Sequence, residues 1–387
     1  MPISRRQTGT SACRRAPELA VSQRLLLANQ QRIDAATSPL ERARLLQDRV
    51  VLLARLGRVD EARTLLAEAQ RDAPPGAPAA LRLRYDYVTA IRLYFAKRFA
   101  EARAAMLEVA ERARHDGGDL ALVGECESAL ALFMQREWDV RAAAGYARLV
   151  LANREATPES RYRALLALGS LHQDAYEYEE ASRLYREAEE LVRRIDDDIA
   201  MASCLQRSAL TQAAHARQAA ALDELDARTL ASAVDALKRS IAFARSLAEG
   251  PDTTLDHLLL AEMHVLQRRH EAALALYDTH LPSADGEGFL HEVTAAMADS
   301  AACSIELGRV DEGHAQVLEA MQRVDESTPA DIRAIVHSNM SMALRRLGRD
   351  AEAEQHRLLA RMAWETYAHE QREARRLLAS NLAETLH

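Results

Sequence analysis

Two histidines in this sequence stand where a metal ion could be held. His257 and His264 are seven residues apart, so they share one face of a helix, and Glu262 lies between them. Zinc accepts imidazole and carboxylate ligands, but its helical sites set two histidines four apart, as in HExxH or HxxxH. Neither pattern is present, and lone histidines on helices serve packing or face water, so no metal ligand is expected. The cysteines Cys13, Cys126, Cys204 and Cys303 form no CxxC pair, and their spacing fits neither a disulfide framework nor a zinc site. "HDGGDL" (His115–Leu120) reads as a glycine turn between two helical stretches. There is no phosphate-cradling P-loop, no G-x-S-x-G elbow and no dinucleotide fingerprint. These residues point away from catalysis: no catalytic residue and no cofactor is expected.

The elements that carry these residues follow from composition. The chain has 387 residues, 48% of them apolar but only 4% aromatic, so its core must be built of Ala, Leu and Val, which favours close helix packing. Lys and Arg total 50 against 58 Asp and Glu, a formal charge of −8. A nucleic-acid binder needs a basic face to displace counterions, so that class is set aside. Lys97 and Lys238 are the only lysines, an arginine bias expected of a GC-rich bacterial genome. No run of about 18 apolar residues exists, so no membrane span is expected. The first residues, "MPISRRQTGTSACRRAPELA", lack the apolar core of a secretory signal. With unpaired cysteines, this gives a cytoplasmic expectation, and residues 1–16 read as a disordered tail.

Prolines and glycines punctuate long stretches rich in Ala, Leu, Arg and Glu. "SPLE" (Ser38–Glu41) has an N-cap Ser, Pro at the first helical position and Glu completing a capping box. "TPAD" (Thr328–Asp331) is a weaker copy, and Thr157-Pro158 and Gly250-Pro251 would open two more helices. No strand-like alternation appears, so the fold class is all-α.

The helices repeat. "LGRVDE" occurs at Leu56–Glu61 and again at Leu307–Glu312. With Gly57 as anchor, similar turns recur at Lys97, Arg136, Tyr176, Ala216, Arg268, Gly308 and Gly348. The steps are 40 residues, except one of 39 and one of 52, the latter ascribed to a 12-residue insertion near Arg217–Thr229. Seven residues before the anchors stand Val50, Ala90, Ala129, Gly169, Ala209, Ala261, Ala301 and Ser341. Five residues after, with the anchor reset past the insertion, stand Ala62, Ala102, Arg141, Ala181, Ala233, Ala273, Gly313 and Ala353. Antiparallel helices approach closely only where side chains are small, and a larger residue two past the anchor (Val59, Phe99, Trp138, Tyr178) plugs the end of the interface.

These columns resemble the tetratricopeptide repeat, a helix-turn-helix unit. The clearest copies are Leu166–Leu191, with Leu168-Gly169, Tyr178, Glu180-Ala181, Tyr185 and Ala188, and Ala54–Pro74, with Gly57, Glu61-Ala62, Leu66 and Ala69. The resemblance covers about Pro39 to Thr366 in eight units, each longer than the usual 34 residues. Units three, five and eight depart most, through Arg141, the insertion and Asp350. The resemblance implies a right-handed α-α superhelix, a tetratricopeptide-type solenoid of about eight helical hairpins over residues 17–366. A helix from about Pro17 to Ala35 would cap its start.

The resemblance also implies where a ligand would sit. Residues about ten, six and three before each anchor would face a concave groove: Tyr87, Ile91 and Tyr94 in unit two, Gln173 in unit four, Gln206 in unit five. Adjacent positions add Asp48, Arg84, Asp174, Arg207 and Asn339. Aromatics, amides and arginines suit an extended peptide, whose backbone the amides would bond. The carboxylate clamp of chaperone-binding members needs Lys and Asn where this chain has Gln47, Val51, Tyr87 and Ile91, which sets that partner class aside.

After Gly348 no Gly or Pro occurs through His387, so the end of the chain reads as one long helix of roughly 58 Å. Its last part, residues 367–387, reads as an extension beyond the repeats. Leu378, Leu382 and Leu386 recur every four residues there, a stripe suited to pairing two copies as a homodimer. It also resembles the signalling helix that joins tetratricopeptide sensors to GGDEF output domains, although HDGGDL itself lacks the E-F and is set between helices. The expectation is therefore a non-enzymatic protein- or peptide-binding scaffold in bacterial regulation or signalling. The alternative is the sensory input module of a diguanylate-cyclase-type enzyme whose output domain would follow residue 387.

Overall fold

A computed structural model describes residues 21–73, 76–115, 119–137, 139–195, 197–247, 252–284 and 290–384, with side chains described from 24 to 380. Every regular element among them is an α-helix. Helix α1 (Val21–Ala35) lies at the start of the array; the Pro17 at which the capping helix was expected to begin, and the tail before it, lie outside the described residues. Eight hairpins follow: α2 (Pro39–Arg55) with α3 (Val59–Arg71), α4 (Ala79–Phe95) with α5 (Phe99–His115), α6 (Leu120–Arg136) with α7 (Val140–Ala152), and α8 (Pro158–Asp174) with α9 (Tyr178–Ile195). The remainder are α10 (Asp198–Ala221) with α11 (Ala227–Ser246), α12 (Thr254–Leu266) with α13 (His270–Ala284), α14 (Leu290–Glu306) with α15 (Val310–Gln322), and α16 (Ala330–Arg346) with α17 (Asp350–Glu384). Each first helix packs on its own second helix, and consecutive hairpins pack on each other, as in a solenoid. No helix among the described residues is long and apolar enough to cross a membrane.

Local chemistry explains the helix starts. Ser38 accepts from the Glu41 amide at 3.1 Å, and Glu41 reaches back to the Thr37 amide, one residue before the cap. Thr157 caps α8 through the Ser160 amide. Thr328 does not cap α16: its hydroxyl is bonded to Asp325, and Pro329 occupies the cap position. Gly250 and Pro251 lie outside the described residues, and α12 starts from Thr253.

The turns share one backbone motif. Among the described residues, seven of the first helices are followed by one left-handed residue, and the amide beyond it donates five residues back, closing a Schellman cap. Gly57, Gly308 and Gly348 fill this position, and so do Lys97, Tyr176, Asp223 and Arg268. Arg58 thus bonds the Leu53 carbonyl, Glu177 that of His172 and Arg269 that of His264.

The motif corrects the expected register at two units. In unit five the left-handed residue is Asp223, while Ala216 is fully buried inside α10. Most of the extra twelve residues are therefore not a loop. The first helices α2, α4, α6, α8, α14 and α16 each have 17 residues, whereas α10 has 24. Seven added residues make almost two turns at 3.6 residues each, so the buried face continues through Ala209, Ala213 and Ala216. In unit three, Asp139 bonds the Met134 carbonyl, two residues later than an anchor at Arg136 requires. The crossing then falls on Ala131 and Ala143, both fully buried, and Arg141 ceases to be an exception. Trp138 lies outside the described residues.

The small columns do meet. A Cβ added to Gly313 would lie 2.6 Å from the Ala301 carbonyl oxygen, and one added to Gly169 would lie 2.5 Å from the Tyr185 ring. Alanine at Gly313 would have to move the backbone of a helix, and alanine at Gly169 would displace the buried Tyr185 ring.

The array also folds back on itself. Helix α17 is continuous across residue 366, as one long helix, and it packs on α7 and α8. Leu378 is buried in the same core as units one to four. Arg375 donates to the Ala175 and Tyr176 carbonyls at the end of α8, both at 3.1 Å, where a cation meets the negative end of the helix. At the other seam, Arg55 of α2 pairs with Asp197 before α10 at 2.8 Å, and Arg24 of α1 pairs with Asp198 at 2.8 Å.

A left-handed non-glycine residue costs roughly 1–2 kcal/mol. Arg268→Gly is therefore expected to stabilise the chain by about 1 kcal/mol in urea unfolding, and Gly308→Ala to destabilise it by a similar amount. Equal effects of the same sign would contradict the shared turn motif.

Candidate functional site

Five first helices converge on a single cavity of about 310 Å³. Its lining comes from α2 (Val51, Arg55), α4 (Ile91, Tyr94, Phe95), α6 (Ala129, Leu132, Phe133), α8 (Tyr162, Arg163, Leu166) and α10 (Ile199, Ala200, Ser203, Arg207). The Arg55–Asp197 pair joins units one and five beside it, so the space is a partly enclosed hollow. Tyr94 stacks flat on Phe133, with centroids 4.4 Å apart and planes within 9°, forming a rigid aromatic wall. Three guanidinium groups line the cavity, and no carboxylate does. Arg163 lies 5.9 Å from the centre of the Tyr162 ring, within cation–π range. Arg207 donates to the Ser170 hydroxyl.

The expected groove residues divide into separate places. Ile91, Tyr94 and Arg207 line the cavity. Asp48 and Arg84 are joined at 3.3 Å, and Arg84 also meets Glu125 at 3.0 Å, in a charged cleft across units one to three. Tyr87 is buried between that cleft and the cavity, close to both Arg84 and Arg163, and burial pushes its hydroxyl pKa upward. Gln173 accepts from the Thr211 hydroxyl at 2.6 Å and from Tyr185, which ties it to neighbouring helices. Asp174, beside Gln173, lines a second cavity of about 210 Å³ with Tyr178, Arg217, Asp331 and Tyr367, where units four and five meet unit eight. Burial raises its carboxyl to about 6, with Gln135 and Arg207 opposing. Gln206 donates to Asp256 at 3.4 Å, and Asn339 to Asp299 at 3.1 Å, both away from the central cavity.

Sequence reasoning missed Arg55, Phe133, Tyr162, Arg163 and Ser203, for a geometric reason. The lining runs diagonally, from the ends of α2 and α4 to the first half of α10. Each unit is rotated against the last, so a straight path crosses a different register in every helix. Fixed columns intersect such a path only near unit two.

The histidines are occupied locally. His257 donates through Nδ1 to the Thr253 carbonyl at 2.7 Å, accepts through Nε2 from Arg245 at 2.9 Å, and stacks on His280. His264 bonds Gln267. Among the described residues no group of three His, Cys, Asp or Glu is placed to hold a metal. Leu378 faces α7 and α8 rather than a second copy, the Leu382 side chain is not described, and Leu386 lies outside the described residues.

The solenoid shape is shared with solved structures. The chain resembles a Rap protein complexed with Competence and Sporulation Factor, with TM-score 0.55, 11% identity, 90% of this chain and 99% of that chain covered. The apo form of the quorum sensor NprR from B. thuringiensis follows with TM-score 0.50, 13% identity, and 88% and 93% covered. A signal-transduction ATPase with a tetratricopeptide repeat sensor from Pyrococcus horikoshii has TM-score 0.51 and 13% identity, with 94% of this chain and 56% of that chain covered. The chain is a tetratricopeptide-type helical solenoid. No protein-family model and no curated protein matches the sequence.

Beyond the central cavity, the later units of this solenoid carry a buried charge network. Arg217 grips Glu262 through two bonds of 2.6 and 2.7 Å and lies 3.6 Å from Asp331. Nearby, burial and then the charge of Glu262 raise the Asp299 carboxyl to about 7, against the pull of Asn339 and Arg217. A carboxyl raised in the fold favours the protonated state. Its contribution is full below the ordinary aspartate value of 3.8 and is lost as pH rises through about 7. Asp197 has the opposite sign: Arg55 and the Ala200 amide outweigh burial and hold it low, so its contribution is lost only in acid. The Asp299→Asn variant should therefore gain in melting temperature on the native chain between pH 5 and pH 8. A difference independent of pH would contradict this.

Proposed function

We propose that this chain is a non-catalytic, peptide-binding regulatory scaffold, with the central cavity as the seat of its ligand. The observation that carries this reading is the convergence of five first helices on one partly enclosed space with an aromatic wall and cationic side chains. Such a surface suits an extended peptide segment, since stacked rings give contact area at little entropic loss and arginines bond its polar groups. The Rap protein is similar in fold and is complexed with Competence and Sporulation Factor, which supports a binding role for the solenoid here.

The test is affinity capture of random heptapeptides on the immobilised full chain. A set should be enriched, and Ser203→Trp, which fills the cavity from a partly exposed position, should lower its binding about tenfold or more with an unchanged melting temperature. Leu149→Trp, on the exposed face of α7, should leave binding unchanged. Equal binding by the Ser203 variant would remove the cavity from the account.

A further inference from the structure

The charge of the cavity is opposite to that of the chain. A protein of formal charge −8 lines this space with Arg55, Arg163 and Arg207 and with no Asp or Glu. Carboxylates stand only behind the wall. Asp197 takes one N–H group of Arg55, Asp174 lies near Arg207, and Glu125, itself bonded to Arg84, lies near Arg163. A guanidinium carries five N–H donors and stays charged at any physiological pH. The bonds made by Arg55 and Arg207 to Asp197 and Ser170 each engage a single terminal nitrogen. Arg163 makes no carboxylate pair among the described residues; it is bonded to Tyr162, lies against that ring and is near Tyr87. Fixed cations in a partly enclosed, low-dielectric space are best satisfied by an anion that brings two oxygens in one plane.

The rest of the wall limits what the anion can be attached to. Val51, Ile91, Leu132, Leu166 and Ile199 surround the arginines, together with the Tyr94–Phe133 stack. A heavily charged ligand such as a nucleotide or polyphosphate would strand its remaining charge against these side chains. A single carboxylate flanked by apolar side chains would not.

The geometry points to a carboxylate as the group this cavity selects: the ligand is an apolar peptide segment bearing a carboxylate held by Arg163 and Arg207. This rests on the peptide-binding reading and adds the chemical class. The carboxylate has two sources, the C-terminus of a peptide or an Asp or Glu side chain within it, and both present the same planar pair of oxygens.

Three heptapeptide pools separate these sources on the full chain. The first has free C-termini and no Asp or Glu, the second amidated C-termini with Asp and Glu, and the third amidated C-termini without them. Binding that Ser203→Trp abolishes is counted as cavity binding. The first or the second pool should bind at least about tenfold more tightly than the third, the ratio expected for losing a charge-assisted bond. Which of the two leads identifies the source. Arg163→Gln should erase that preference, and Arg163→Lys, which keeps the charge without the fork, should restore part of it. The comparison among pools uses the native chain and the Ser203→Trp control, so it stands even if an Arg163 variant fails to fold. Cavity binding that is equal across the three pools would overturn the carboxylate and leave the peptide reading intact. Absence of cavity binding from all three pools would overturn both.

Discussion

Everything in this molecule depends on how closely two helices of a hairpin can approach. Gly313 faces the Ala301 carbonyl with no room for a methyl group, and fully buried alanines occupy most of the equivalent crossings. Helices in such contact cannot enclose a core of large side chains between themselves. Each hairpin must bury its remaining apolar stripe against the next one, and the solenoid follows. The same constraint decides where aromatic rings go. They are scarce, and several gather at two places that close contact does not govern: the central cavity, with Tyr94, Phe133 and Tyr162, and the seam where Tyr176, Tyr178 and Tyr367 meet.

An open solenoid offers a trough, but this one is closed at two seams. The Arg55–Asp197 and Arg24–Asp198 pairs bring unit five against the start of the array, and α17 lays Leu378 and Arg375 on units three and four. Partly exposed ion pairs contribute little stability individually. Their consequence here is geometric, since they turn a stack of hairpins into an enclosure with a defined interior. The arginines that line it are balanced from behind by Asp197, Asp174 and Glu125, which lets a cationic interior exist in an acidic chain.

Local features of the fold were legible in the sequence, and features that join distant units were not. The all-α class, the near-40-residue period and the small crossing columns all follow from spacing, because each reports contacts within one hairpin. The turn of unit five escaped because Asp223 takes a left-handed conformation usually given to glycine, and because two added helical turns keep the Ala209–Ala213–Ala216 face in phase. Arg141 looked like an exception because the turn of unit three falls later than its neighbours suggest. The seams were invisible for another reason: Arg55 and Asp197 are 142 residues apart, and Arg375 and Ala175 are 200 apart. Of the expected groove residues, Ile91, Tyr94 and Arg207 line the cavity, whereas Arg163 lies where the diagonal path has left the fixed columns.

The central claim is that the first five units enclose the ligand with the inner faces of their first helices. Hydrogen–deuterium exchange with and without a captured peptide tests it most directly. Slowed exchange in α4, α6, α8 and the first half of α10, with α5 and α7 unchanged, is the result this account predicts. Protection confined to the outer helices, or to the cavity where units four and five meet unit eight, would contradict it.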